Sequence, residues 1–261
     1  VRLRGEIEID RRLISRYRSI FSGSSGLLYA PMAEPLGPGS NQVSTEGLAF
    51  TLPGDRWYAP IVIGTRFGLG VPTALTVTAG PLISSREEQA RIAGSVAFDW
   101  RYFLIPRRLA LGTVVKGSIA SPVEGNYGGR DERTNPTGIG VQHPATLYLG
   151  PVYITLAPEI LYGPDGVSYE DAPSGDGGFW SYLRGGVGYD GKLLSFGLSG
   201  ALRTSVFSEE IDVSPPIPLA AETRLRLPSG PLHFSLILAG DLYPREGEFT
   251  LKGGFGAGIL F

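Results

Sequence analysis

The sequence predicts an all-β fold: an antiparallel transmembrane β-barrel of about twelve strands, with fourteen as the alternative. Three observations predict it. Apolar residues recur at every second position over long stretches. The connections between those stretches alternate between tight and long. Glycine and proline together make up 59 of 261 residues, a share of about 23% where about 12% is usual. There is no Gly-X-Y period, so the chain is not collagen-like. With 42% hydrophobic and 10% aromatic residues it does not have a disordered composition.

The remaining composition narrows the function classes. A formal net charge of −2 excludes a strongly basic nucleic-acid binder. The absence of cysteine excludes a disulfide framework, thiol catalysis and thiolate-bound zinc. The chain opens on Val1-Arg2-Leu3-Arg4 without an apolar leader, as expected either of a protein that is not exported or of the mature form after cleavage.

Residues 1–42 read as an N-terminal segment, and 43–261 as the barrel. Val1–Asp10 alternates cleanly and is a candidate strand. Leu13, Ile14, Tyr17, Ile20 and Phe21 fit a helical stripe with Arg11, Arg12, Arg16 and Arg18 opposite. That is the pattern of a basic plug or an interfacial helix, or of an irregular strand and loop. Residues 30–42, with three prolines and two glycines, read as loop. Val43–Leu52 is a weaker candidate strand, with Gly47, Ala49 and Thr51 opposite Leu48, Phe50 and Leu52.

From Trp57 onward the period of two is persistent, and side chains at that period alternate across a strand. Strands are expected at 57–70, 73–84, 89–104, 108–120, 138–149, 152–162, 179–190, 193–207, 217–227, 232–243 and 248–261. Residues 89–104 illustrate the rule. Ile92, Val96, Phe98, Trp100, Tyr102 and Leu104 share one face, against Arg91, Ser95, Asp99 and Arg101. Strands of globular proteins usually run about 5–6 residues, whereas a tilted strand crossing a bilayer needs about 9–11. Aromatic residues such as Trp57, Phe67, Trp100, Tyr102 and Tyr189 gather near the ends of the apolar faces, as interfacial girdles do. Tight connections at 70–73, 105–108, 150–151, 189–192 and 228–231 alternate with longer ones. Short periplasmic turns and longer extracellular loops have this alternation. Eleven strands need a partner to reach an even number, and one N-terminal candidate supplies the twelfth.

These features together resemble a Gram-negative outer-membrane β-barrel over Trp57 to Phe261. The ending Gly-Gly-Phe-Gly-Ala-Gly-Ile-Leu-Phe, with Phe261 last on an amphipathic strand, is similar to that class's assembly signal. The resemblance implies residence in the outer membrane of a diderm bacterium, contact with outer-membrane lipid and lipopolysaccharide, and recognition of the C-terminal strand by the assembly machinery. It implies no cofactor, and leaves an envelope protein partner open.

If the apolar faces meet lipid, the opposite faces line the lumen. That set is Arg66, Arg91, Asp99, Arg101, Lys116, Glu159, Arg184, Arg203, Glu222, Arg224, Arg226, Asp241, Glu248 and Lys252: nine cations and five anions. Rings of one charge set pore selectivity, so the excess predicts a passive channel preferring small anionic solutes. Inward glycines at 64, 68, 112, 186, 188, 254 and 256 predict open volume. The alternative is a closed scaffold barrel, bridged by Arg–carboxylate pairs, that anchors or accompanies other envelope proteins.

Catalytic and metal constellations are thin. His233 and Ser235 share a face, with Glu246 or Glu248 downstream, and a base beside a hydroxyl can make a nucleophile. Outer-membrane lipid A deacylases carry a similar His-x-Ser, so lipid acyl hydrolysis is the less favoured third reading. His233 as an ordinary luminal polar residue, and His143 as a surface residue, are the simpler assignments. Asp165, Glu170, Asp171 and Asp176 match no Ca²⁺-loop spacing and read as a solvated acidic loop. No metal or nucleotide motif stands out.

Overall fold

The computed structural model describes residues 18–20, 25–36, 39–52, 56–70, 72–84, 91–120, 138–163, 178–204, 217–227, 231–243 and 248–260. The strands are β1 (Asn41–Leu52), β2 (Arg56–Gly70), β3 (Thr73–Ser84), β4 (Arg91–Ile105), β5 (Leu109–Ala120), β6 (Gly138–Gln142), β7 (Ala145–Leu149), β8 (Val152–Gly163), β9 (Gly178–Asp190), β10 (Leu194–Thr204), β11 (Ile217–Arg226), β12 (Leu232–Tyr243) and β13 (Glu248–Leu260). All the pairings are antiparallel. The sheet closes on itself where β1 pairs β13, from Gln42↔Leu260 to Phe50↔Lys252. Closure leaves no unpaired edge, as a strand-built membrane protein requires.

Thirteen strand segments make twelve positions around the barrel. β6 and β7 follow one another along a single track between β5 and β8. The expected strand 138–149 is interrupted at His143-Pro144, because proline has no N–H to give the ladder. Both neighbours still bond across the break: Gly112 N–H donates to Pro144 O at 2.9 Å, and His143 N–H to Pro158 O at 3.0 Å. The twelfth strand is therefore the weak candidate, extended by two residues to begin at Asn41. Val1–Asp10 and most of the helical stripe lie outside the described residues.

The outer face is apolar on most of the strands, β1 excepted. Ile63 on β2, Val77 on β3, Phe98 on β4, Leu156 on β8, Leu236 on β12 and Phe255 on β13 are all exposed. Water would penalise such a continuous surface, whereas a bilayer accepts it. The fold is a transmembrane β-barrel.

One face differs from the sequence reading. On β1 the inward set is Gln42, Ser44, Glu46 and Leu48, all buried, and the side toward lipid is small and partly polar. Leu48 faces inward because an apolar partner waits there. Leu28 of the N-terminal segment packs with Leu48, Val62, Ala220, Ile237 and Ala239. A second cluster joins Leu27, Ala30, Met32 and Ala33 to Ala110, Tyr148 and Tyr153. The buried apolar clusters of this barrel are thus shared between its wall and residues 27–33.

Candidate functional site in the lumen

The wall contributes charges in strand order. Arg66 on β2 pairs Asp99 on β4 at 3.3 Å, and Arg101 of β4 pairs the same carboxylate at 3.0 Å. Lys116 on β5 lies 2.8 Å from Glu159 on β8, and Arg184 on β9 bonds the other Glu159 oxygen. Glu222 and Arg224, two apart on β11, pair at 2.5 Å. Residues of one parity on one strand point the same way, so alternation alone brings these groups inside.

Residues 18–20 and 25–36 lie among them. Antiparallel bridges Ser19↔Gly26 and Gly26↔Pro31 fold the segment into three short passes. Leu27 N–H donates to Ala30 O at 2.9 Å and Met32 N–H to Ser25 O at 3.1 Å, which closes a turn. Ile20, Leu27, Leu28, Ala30, Met32 and Ala33 are all at most 1% exposed. Their backbone groups, buried away from water, need partners, and the wall supplies them. Glu222 accepts from Leu28 N–H. Ser199 Oγ accepts from Tyr29 N–H at 3.3 Å, and Thr146 Oγ1 from Ala33 N–H at 2.9 Å. Arg101 donates to Met32 O at 2.6 Å and Ser25 O at 3.2 Å. Arg224 donates to Gly26 O at 3.1 Å, and Thr155 Oγ1 to Pro31 O at 2.9 Å.

The firmest attachment is Arg18. Its Nη1 and Nη2 donate to the two oxygens of Asp190 at 2.9 and 2.7 Å, and its Nε to Glu34 at 2.8 Å. Its guanidinium carbon sits 5.1 Å over the Tyr153 ring. Glu46 accepts from Ser19 Oγ at 2.5 Å. Asp190, Tyr153, Arg101 and Arg66 all lie near the short-turn ends of their strands, so the segment occupies the end of the barrel from which β1 begins.

The luminal glycines explain the fit. A Cβ on Gly64 would stand 2.6 Å from Ile20 Cδ1, and one on Gly186 2.6 Å from Leu27 Cδ1. A Cβ on Gly197 would also collide with Leu27. The room that these glycines leave is taken by the segment, not by solvent.

Of the expected luminal residues, Arg66, Asp99, Arg101, Lys116, Glu159, Glu222 and Arg224 are buried inside, and Arg184 is partly so. Arg226 has their parity but ends β11 and is exposed. The side chains of Arg91, Arg203, Asp241, Glu248 and Lys252, and all of Phe261, lie outside the described residues, as do the acidic loop residues. Glu46 and Asp190 were missed. Glu46 lies on the weak candidate strand, and Asp190 falls in the tight connection expected at 189–192, although its side chain turns inward. With them, and with Arg18 and Glu34, the described lumen balances. Six cations (Arg18, Arg66, Arg101, Lys116, Arg184, Arg224) face six anions (Glu34, Glu46, Asp99, Glu159, Asp190, Glu222).

His233 and Ser235 do share the inward face of β12. His233 Nδ1 lies 2.8 Å from Pro231 O, while the buried Ser235 Oγ makes no hydrogen bond. The base is not engaged with the hydroxyl. His143 is exposed, its Nδ1 3.2 Å from Thr113 Oγ1.

No protein-family model matches the sequence, and no curated protein matches it significantly. Among solved structures, an outer membrane channel from Pseudomonas putida F1 is similar at 14% identity and TM-score 0.48, over 87% of this chain and 97% of that one. A TodX deltaS2S3 mutant, a monoaromatic hydrocarbon channel, shares 7% identity at TM-score 0.47, over 94% and 98%. The outer membrane channel DcaP of Acinetobacter baumannii shares 9% at TM-score 0.36, over 87% and 100%.

Proposed function

We propose that the protein is an outer-membrane channel for small solutes, closed in this state by its own residues 18–20 and 25–36, and that passage requires this segment to withdraw. The supporting observation is what fills the lumen. Barrels near eight strands are filled by wall side chains, and those of 16–18 leave an aqueous channel. Here twelve staves hold a separate stretch of chain, seated in glycine-lined sockets and attached by hydrogen bonds and ion pairs. Its removal would leave a passage lined by the wall's charged side chains together with Leu48, Val62 and Ile237.

Each described luminal cation has a carboxylate partner. Such pairing offsets the positive field expected from the sequence, so any anion preference of the open state is weak. The alternative, a permanently closed scaffold barrel, draws on the same plug–wall bonds. We assign no catalysis to His233 and Ser235, since the hydroxyl is not activated.

The test is single-channel recording of the refolded full chain in a planar bilayer under a KCl gradient. The wild type is expected to open intermittently, and Arg18→Ala to raise the open probability about tenfold or more, given the several kcal/mol attached to a buried ion pair. Silence from both, with folding verified, would remove the channel and leave the scaffold.

A further inference from the structure

We propose that the cage around Arg18 is a binding site for guanidinium groups in its own right, and that free guanidinium-bearing solutes occupy it once the segment withdraws. This rests on reading the segment as a movable plug, and it names the solute class that the opened lumen recognises.

The cage has two wall components. Asp190 ends β9, and Tyr153 stands near the start of β8. Asp190 is buried and takes two parallel N–H bonds, one per oxygen. That fork matches a planar guanidinium and not a tetrahedral ammonium, which presents a point charge. Tyr153 supplies the flat face. It pairs in register with Gly188, and a Cβ there would collide with the phenol. The missing side chain lets the ring lie over β9, with its face toward the guanidinium.

Two further observations point to a ligand rather than a purely internal pair. Tyr153 is fully buried, yet its hydroxyl has no hydrogen-bond partner, which leaves a polar atom beside the cage for a bound solute. And when Arg18 leaves, it takes Glu34 of the same segment with it, while Asp190 stays on the wall. Asp190 then loses its two-pronged guanidinium partner, and breaking a buried ion pair is unfavourable. A solute with a guanidinium restores both the fork and the ring contact, whereas a hydrated alkali cation restores neither.

Arg18 is tethered, so it competes at an effective concentration of about millimolar. Free arginine therefore acts in roughly that range. A solute held at Asp190 also holds the segment out, which couples solute binding to opening.

The experiment is calorimetric titration of the refolded full-length Arg18→Ala chain with ethylguanidinium and, separately, ethylammonium. Ethylguanidinium should bind about tenfold tighter than ethylammonium, and Asp190→Asn in the same chain should abolish its binding. No binding to the folded variant, or equal binding of the two cations, overturns the proposal. If ethylguanidinium binds but neither chain conducts, the site stands and the channel reading falls. If the chains conduct but ethylguanidinium does not bind, the reverse holds. Should Arg18→Ala fail to refold, the wild-type chain carries the test in a bilayer. Arginine at millimolar concentration should then raise the open probability where lysine at equal ionic strength does not, and equal responses overturn the proposal.

Discussion

Arg18 and Asp190 are separated by 172 residues of sequence and joined by two parallel hydrogen bonds of 2.9 and 2.7 Å, both side chains about 2% exposed. The pair ties the N-terminal segment to the turn between β9 and β10. Removing Asp190 takes the two-pronged partner from the buried Arg18 and leaves it Glu34 at 2.8 Å; breaking a buried pair costs about 3–5 kcal/mol. Asp190→Ala should therefore loosen the segment while the barrel, held by its strand ladders, persists. Trypsin cleavage after Arg18, followed by mass spectrometry on folded protein, should accelerate by at least about tenfold. An unchanged rate would mean that the pair does not hold the segment.

The glycine sockets make a steric prediction. At Gly186 a Cβ would sit 2.6 Å from Leu27 Cδ1 and 2.9 Å from the Leu198 carbonyl oxygen, so Gly186→Ala forces Leu27 out or strains the wall. Open probability should rise in the single variant. Adding Leu27→Ala relieves the clash with the segment and should bring it back toward wild type. The coupling between the two positions is the readout, and additive effects would contradict the socket.

Glu159 holds two cations at once, Lys116 at 2.8 Å and Arg184 through its other oxygen. Glu159→Gln removes the negative charge and leaves both cations on the wall. In the open state, the reversal potential under a KCl gradient should move toward chloride. A shift toward potassium, or none, would show that these side chains do not line the conducting path.

On the outer face, Phe98 is 47% exposed on β4 with apolar neighbours to either side of the strand. Phe98→Arg should destabilise the barrel by about 2–4 kcal/mol if the residue sits near the bilayer midplane, read from denaturant unfolding in lipid vesicles. A change within about 0.5 kcal/mol would place that surface in water.

Much of the barrel was legible because its rule is local. Period-two patterning fixed which side chains of β4, β10 and β12 face lipid, and turn residues marked the ends. The break at His143-Pro144 carried its signal in the proline. Leu48 was harder: apolar residues mark lipid in such a barrel, and only knowledge of Leu28 opposite turns it inward. The same holds for the glycines. A missing side chain says that something comes close, not whether it is water or Ile20 and Leu27 of the same chain. Pairings such as Arg18 with Asp190 join distant segments through the closed lumen, and no spacing rule reaches that far.

In the proposed channel, residues 18–20 and 25–36 close the lumen and leave it on opening. Ala33 N–H lies 2.9 Å from Thr146 Oγ1, and the chain has no cysteine of its own. A full-length Ala33→Cys, Thr146→Cys variant can therefore be cross-linked cleanly, segment to wall. Current through single reconstituted molecules should be absent under oxidising conditions and appear as bursts on reduction. The same steady conductance in both states would contradict the account, because ions would then be passing a segment that cannot move.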